Sequence, residues 1–191
     1  NMNQKKLIGT IIGIIFFVVL IAGATFAWLS ATATVTNGTY NVSTKNFVIN
    51  YVGGGTISSV PVLSTATPAT ATVKQLSAAL ANNSVAGKLT ITLTTESTSL
   101  LTTSGAINYV VCTSTTTTSS CASNFNSKVA SGTITKSGDL TLYTDTSDLT
   151  TSTKYYFVYF WVDASKVTNE MMSNNQNAYS GYIHASAAQT Q

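Results

Sequence analysis

The chain has 191 residues, with nine Lys, no Arg and six acidic residues, for a formal net charge of +3 and only 8% charged residues. Charge this sparse and scattered excludes nucleic acid as a partner, because that surface clusters Lys and Arg among aromatic rings. Thr (34) and Ser (23) make up close to a third of the sequence, so solubility rests on hydroxyls. Apolar residues still alternate between them, which points to β-strands rather than a disordered stalk.

In chain order, the first feature is Leu7 to Leu29, a run of 23 residues without a charge that follows Lys5 and Lys6. A helix of that length covers about 34 Å, against a hydrocarbon core of roughly 30 Å. The run therefore predicts a hydrophobic helix over 1–30, either transmembrane or in a filament core. A secretory signal peptide is the competing reading, with small residues at Ala22, Ala24 and Ala27, but its apolar stretch is usually about 7 to 15 residues. We expect the run to be retained, with the lysines cytoplasmic and Ser30 onward outside. On a helical projection Gly9, Gly13, Gly23, Ala24 and Ala27 share one stripe, with Phe16 and Leu20 in its middle. Small residues so aligned let helices approach closely and self-associate.

The remaining residues, 31–191, are expected to form one extracellular domain. Ala31, Ala33 and Val35 alternate with Thr, Asn37-Gly38 marks a turn, and Tyr40-Val42 and Phe47-Ile49-Tyr51 resume the two-residue period. Thr56 to Leu63 reads as a strand that Pro61 confines to an edge. Val73 to Ala81, with Leu76, Ala79 and Leu80, has helical spacing. Leu89 to Thr94 alternates cleanly, one face apolar and one threonine, as in a sheet wet on one side. Further strands are expected at Ile107–Thr113, Lys128–Lys136, Leu140–Thr144, Lys154–Val162 and Tyr179–Ser186. Within the last but one of these, Tyr155–Val162 is apolar or aromatic on both faces, which marks a central strand. The fold class is mainly β: the N-terminal helix followed by a single antiparallel β-sandwich of Ig-like or jelly-roll type.

Cys112 and Cys121 flank eight residues that are all Ser or Thr. In an exported chain they are expected to form a disulfide, and two thiols with one histidine do not complete a tetrahedral metal site. Three Asn-x-Ser/Thr acceptors, Asn37, Asn41 and Asn82, and the hydroxyl cluster Thr115, Thr116, Thr117 and Thr118 are candidate glycan sites. His184 is the sole histidine and shares a strand face with Tyr182 and Ser186. Asp145 and Asp148 read as turn-capping residues. No Gly-x-Ser-x-Gly elbow or His-Glu-x-x-His helix occurs, so neither an enzyme nor a cofactor is expected.

A hydrophobic N-terminal helix followed by a β-rich, hydroxyl-rich head resembles the plan of type IV pilins, archaeal pilins in particular, although Lys5 stands where that family usually has Glu. Gly23-Ala24-Thr25-Phe26-Ala27-Trp28-Leu29-Ser30 and the stretches Phe160-Trp161-Val162, Asn174-Asn175-Gln176, Tyr179–Ala185 and Ala188-Gln189 resemble the TasA and camelysin family of bacterial surface-fibre proteins. That resemblance implies a strand donated to the next subunit, here Ala31, Ala33, Val35, Tyr40 and Val42. The resulting expectation is a structural subunit of a cell-surface filament, a helical homopolymer of this chain held in the membrane before assembly. The alternative is a monomeric membrane-anchored adhesion or recognition domain.

Overall fold

The computed structural model describes residues 31–34, 40–43, 47–52, 55–58, 60–81, 86–96, 99–173 and 179–189. One sheet contains β1 (Ala31–Thr34), β4 (Thr56–Ile57), β7 (Gly87–Thr95), β10 (Gly138–Thr144) and β12 (Gly181–Gln189). Its order is β1-β12-β7-β10, with β4 also on β12. The other contains β2 (Tyr40–Ser43), β3 (Phe47–Val52), β5 (Val62–Leu63), β6 (Thr72–Leu80), β8 (Ile107–Ser114), β9 (Ala130–Ile134) and β11 (Lys154–Asp163). Its order is β2-β3-β6-β11-β8-β9, with β5 also on β11.

The period-two pattern decides which face of each strand is dry. In β7, Leu89, Ile91 and Leu93 are fully buried while the threonines between them face outward. Together with Ile183 and Ala185 of β12 they meet Phe47, Ile49, Leu76, Ile107, Tyr156 and Phe160 of the opposite sheet in one continuous core. Burying each of the large side chains contributes about 1.5–3 kcal/mol. The outer face of the first sheet is ruled by cross-strand rows made mostly of hydroxyls: Ser186, Thr90 and Thr144 in one, Thr92 and Thr141 beside the His184 imidazole in the next. Thr90 Oγ1 and Thr144 Oγ1 lie 3.2 Å apart.

Two details of β12 are set by its first residue. A Cβ on Gly181 would lie 2.6 Å from the Tyr179 hydroxyl and 2.8 Å from the Thr94 carbonyl oxygen. Tyr179 is buried, 3.1 Å from the Thr95 hydroxyl. Burial raises its pKa to about 12, which the Thr95 bond partly opposes. Gly181→Ala is therefore expected to destabilise the domain by about 1–3 kcal/mol, read as a lower urea midpoint. An unchanged midpoint would show that the backbone yields there.

Several expectations are corrected. The helix over 1–30, with Gly9, Gly13, Phe16, Leu20, Gly23, Ala24 and Ala27, lies outside the described residues. Among the described residues no helix is long and apolar enough to cross a membrane. The longest, Asn169–Ser173, has five residues. Among the described residues the architecture is mainly β in two sheets with short helical turns, and the expected long helix ahead of a sandwich is not found there. Length and hydropathy alone had argued for that helix, and they do not define its surroundings.

The sandwich is not wholly antiparallel either, because β5 runs parallel to β11. It flanks β11 beyond the last residue paired to β6, and the Pro61 carbonyl accepts the Val162 N–H at 2.8 Å. Thr56–Leu63 is thus two short strands on different sheets, divided around a proline that has no N–H to donate. Val73–Ala81 is strand, not helix: Leu76 and Ala78 are buried toward the core, and β6 is hydrogen-bonded on both sides, by β3 and β11. Small Ala79 and exposed Val73 on the opposite face imitate a helical spacing. The central position expected for Lys154–Val162 is held by β11, between β6 and β8.

Candidate functional site: a cleft beside the disulfide

The outer face of the second sheet carries its own apolar cluster. Tyr156, Phe160 and Val162 of β11 point into the core, while Phe157 and Tyr159 point outward with Val110 and Cys112 of β8. Uncovered, these rings would form an exposed apolar patch. They are covered by the chain between β8 and β9, which folds back because Cys112 and Cys121 are bonded, with Cα atoms 6.1 Å apart. Both cysteines are fully buried. The expected disulfide is therefore formed, and it anchors the segment that follows.

That segment makes a short 3-10 turn, Phe125–Ser127. The Asn124 side chain accepts the Asn126 N–H at 2.9 Å and caps the turn, and the Lys128 N–H returns to the Phe125 carbonyl at 3.3 Å. So held, the Phe125 ring lies nearly parallel to Trp161, centroids 5.5 Å apart, and meets Tyr159 edge-on at 5.3 Å. Both geometries are favourable for aromatic pairs.

Beneath this wall the β11–β8–β9 register sets two rows of side chains on one face. Trp161, Asn108 and Thr133 form one; Tyr159, Val110 and Ser131 form the other. All of these except Tyr159 line, together with Phe125 and Lys128, a cleft of about 370 Å³. This volume falls in the lower part of the ~300–1,000 Å³ range of small-molecule sites. The polar side chains among its lining residues are those of Asn108, Lys128, Ser131, Thr133 and Tyr109 and the indole N–H of Trp161, with no carboxylate or imidazole. Asn108 Nδ2 makes one long bond, 3.4 Å, to the Ala106 carbonyl. On the inner side of β9, Gly132 leaves room for Tyr109, whose hydroxyl would lie 2.8 Å from a Cβ there.

A second polar centre supports the fold and does not open to this cleft's lining. Asp145 is buried and accepts from Lys154 Nζ at 2.6 Å and from the Tyr156 hydroxyl at 2.7 Å on one oxygen. On the other it accepts from the Ser147 N–H, the Ser147 hydroxyl and the Tyr143 hydroxyl at 3.2–3.3 Å. Burial opposes its ionisation, yet the bonds from Lys154, Tyr156 and Ser147 prevail and hold its carboxyl below the ordinary value. Asp145 caps the start of the turn after β10 through the Ser147 N–H, in line with its sequence context, and the ion pair to Lys154 is an additional finding. Asp148 is exposed.

His184 stands on the hydroxyl-ruled face, 6.0 Å from the Tyr182 ring and 3.2 Å from Thr94 Oγ1, which also donates to Asp139. Among the described residues no three His, Cys, Asp or Glu gather as a metal set. Ala31 and Ala33 pair with Ala187 and Ala185 of the same chain, and Tyr40 and Val42 pair with Tyr51 and Ile49. The two halves of the candidate donated strand thus occupy different sheets, each already paired. Val35, Asn37 and Asn82 lie outside the described residues. Asn41 sits opposite Asn50 on the edge strand β2, and Thr115–Thr118 lie exposed in the disulfide-closed loop.

Phe125, Lys128, Asn108, Ser131 and Thr133 were not marked by any motif, and Trp161 stood out for its aromatic strand and in the Phe160-Trp161-Val162 resemblance, neither of which pointed to a cleft. No family model matches the chain, and no curated protein matches it. Among solved structures it is similar to the K1 cleaved adhesin domain of Lys-gingipain from Porphyromonas gingivalis W83. The TM-score is 0.35 at 14% identity, covering 85% of this chain and 99% of that one. For the K3 cleaved adhesin domain of the same protein the TM-score is 0.30 at 13% identity, covering 75% of this chain and 74% of that one.

Proposed function

We propose that this β-domain is an extracellular recognition module that mediates adhesion by binding a ligand in the cleft between Phe125, Trp161 and β9. The observation that carries this reading is the pre-organised aromatic wall. Its rings are pinned by a disulfide, a capped turn and mutual stacking, so little side-chain freedom remains to be lost on binding. A disulfide bond of this kind persists in oxidising surroundings, which supports a place outside the cytoplasm. The cleft's amide, hydroxyls and ammonium can bind and orient a ligand, which supports a recognition role.

Beads coated with the full chain are expected to adhere to intact bacterial or animal cells, and beads coated with Trp161→Leu to lose most of that adhesion. Equal adhesion by both coatings, with the variant still folded by circular dichroism, would remove the cleft from the function. Uniform fibres of the full chain in electron micrographs, with adhesion unaffected by the cleft, would instead favour the filament-subunit reading.

A further inference from the structure

We infer that the ligand of this cleft is a saccharide, bound as a pyranose ring; the inference rests on the recognition reading above. A pyranose has two chemically distinct aspects. One face presents C–H groups and is apolar, while its equatorial hydroxyls each donate and accept hydrogen bonds. The cleft repeats that division: Phe125 and Trp161 supply an aromatic wall, and Asn108, Ser131 and Thr133 supply an amide and two hydroxyls. Those polar groups match a polyol because they too both donate and accept. Ser131 and Thr133 are exposed and Asn108 is half-buried, with only one long bond to its amide nitrogen. Lys128, at the end of the 3-10 turn, adds three donors.

Other ligand classes fit this lining less well. A nucleotide or other polyphosphate calls for several cations, whereas Lys128 is the single cation lining the cleft. An extended peptide would bind to the free edge of β9 through main-chain bonds rather than in a cleft lined by side chains. A purely apolar ligand would leave the hydroxyls and the amide unpaired. The volume, about 370 Å³, suits one end or one short stretch of a glycan rather than a long chain.

The test is a titration of the full, isotopically labelled chain in detergent micelles with glucose, galactose, mannose, N-acetylglucosamine and their disaccharides, followed by NMR. At least one sugar is expected to shift the Trp161 indole, the Asn108 side-chain amide and the Ser131–Thr133 backbone, with a dissociation constant on the order of 1 mM. Trp161→Leu is expected to weaken that binding at least tenfold. The pair Ser131→Ala with Thr133→Ala, at exposed positions that leave the core untouched, is expected to weaken it several-fold. The saccharide inference is overturned if no sugar shifts these signals at about 50 mM, well above that constant, or if the shifts survive both variants. Cleft-dependent adhesion of coated beads without any sugar response would leave the recognition reading standing and sink only the saccharide. Loss of both would sink both.

Discussion

Replacing Asp145 with Ala is expected to destabilise the domain by about 3 kcal/mol, the lower end of the range for breaking a buried ion pair. The low end applies because the Lys154 side chain is 28% exposed and its ammonium can turn to water. The fully buried Tyr156 hydroxyl has no such recourse and loses its acceptor. Asp145→Asn keeps the shape and one acceptor, so its loss should be smaller.

Acid should act on the wild type in the same sense. The folded carboxyl binds its proton less readily than the unfolded one, whose pKa is about 3.9. Its contribution is therefore complete above that value and is lost as pH falls through the lower folded one. At the alkaline end, Tyr156 and Tyr179 keep their protons in the fold beyond the ordinary tyrosine value, chiefly because they are buried. Stability held below about pH 10 is then lost as pH rises past it. Urea midpoints between acid and neutral pH check the first claim. If Asp145→Ala loses stability on acidification as steeply as wild type does, Asp145 is not the group responsible.

The second large effect belongs to the disulfide. Cys112 and Cys121 are nine residues apart in sequence, and removing both, as Cys112→Ala with Cys121→Ala, is expected to lower stability by about 2–4 kcal/mol. In a domain of this size that corresponds to a melting temperature lower by on the order of 10 °C. The loss has two physical origins. The unfolded chain regains the entropy of an open loop, and the cover over Phe157 and Tyr159 is released. The second origin is local, so Trp161 fluorescence should change on reduction before the domain unfolds. A melting temperature unmoved by reductant, with Trp161 emission unchanged, would show that packing alone holds the loop.

Where strands have one wet face the sequence was legible, because alternation is then visible. Leu89-Thr90-Ile91-Thr92-Leu93-Thr94 declared both its conformation and its inward side. Tyr155–Val162 was legible as a central strand because no polar residue interrupts either face. β6 was obscured by Ala79, which is small enough to suit either environment, so that Val73, Leu76 and Leu80 suggested a helical period. Thr56–Leu63 concealed a change of sheet, which is a tertiary fact with no local signature. The cleft was the least visible feature. Its parts come from β8, β9, β11 and a turn some 35 residues before Trp161, and only the register Trp161–Asn108–Thr133 brings them together. The one local sign was Phe125, a lone ring in the polar run from Thr113 to Lys128.

The threonine rows on the first sheet bear on how the domain stays dispersed. Alcohols neither gain nor lose protons across the biological pH range, and added electrolyte scarcely alters how they hold water. A face hydrated in this way gives up little when the molecule's overall charge vanishes, near pH 8.9. Hydration of this face is thus uncoupled from the isoelectric point, and brackish or acidified surroundings leave its hydroxyls as well wetted as before.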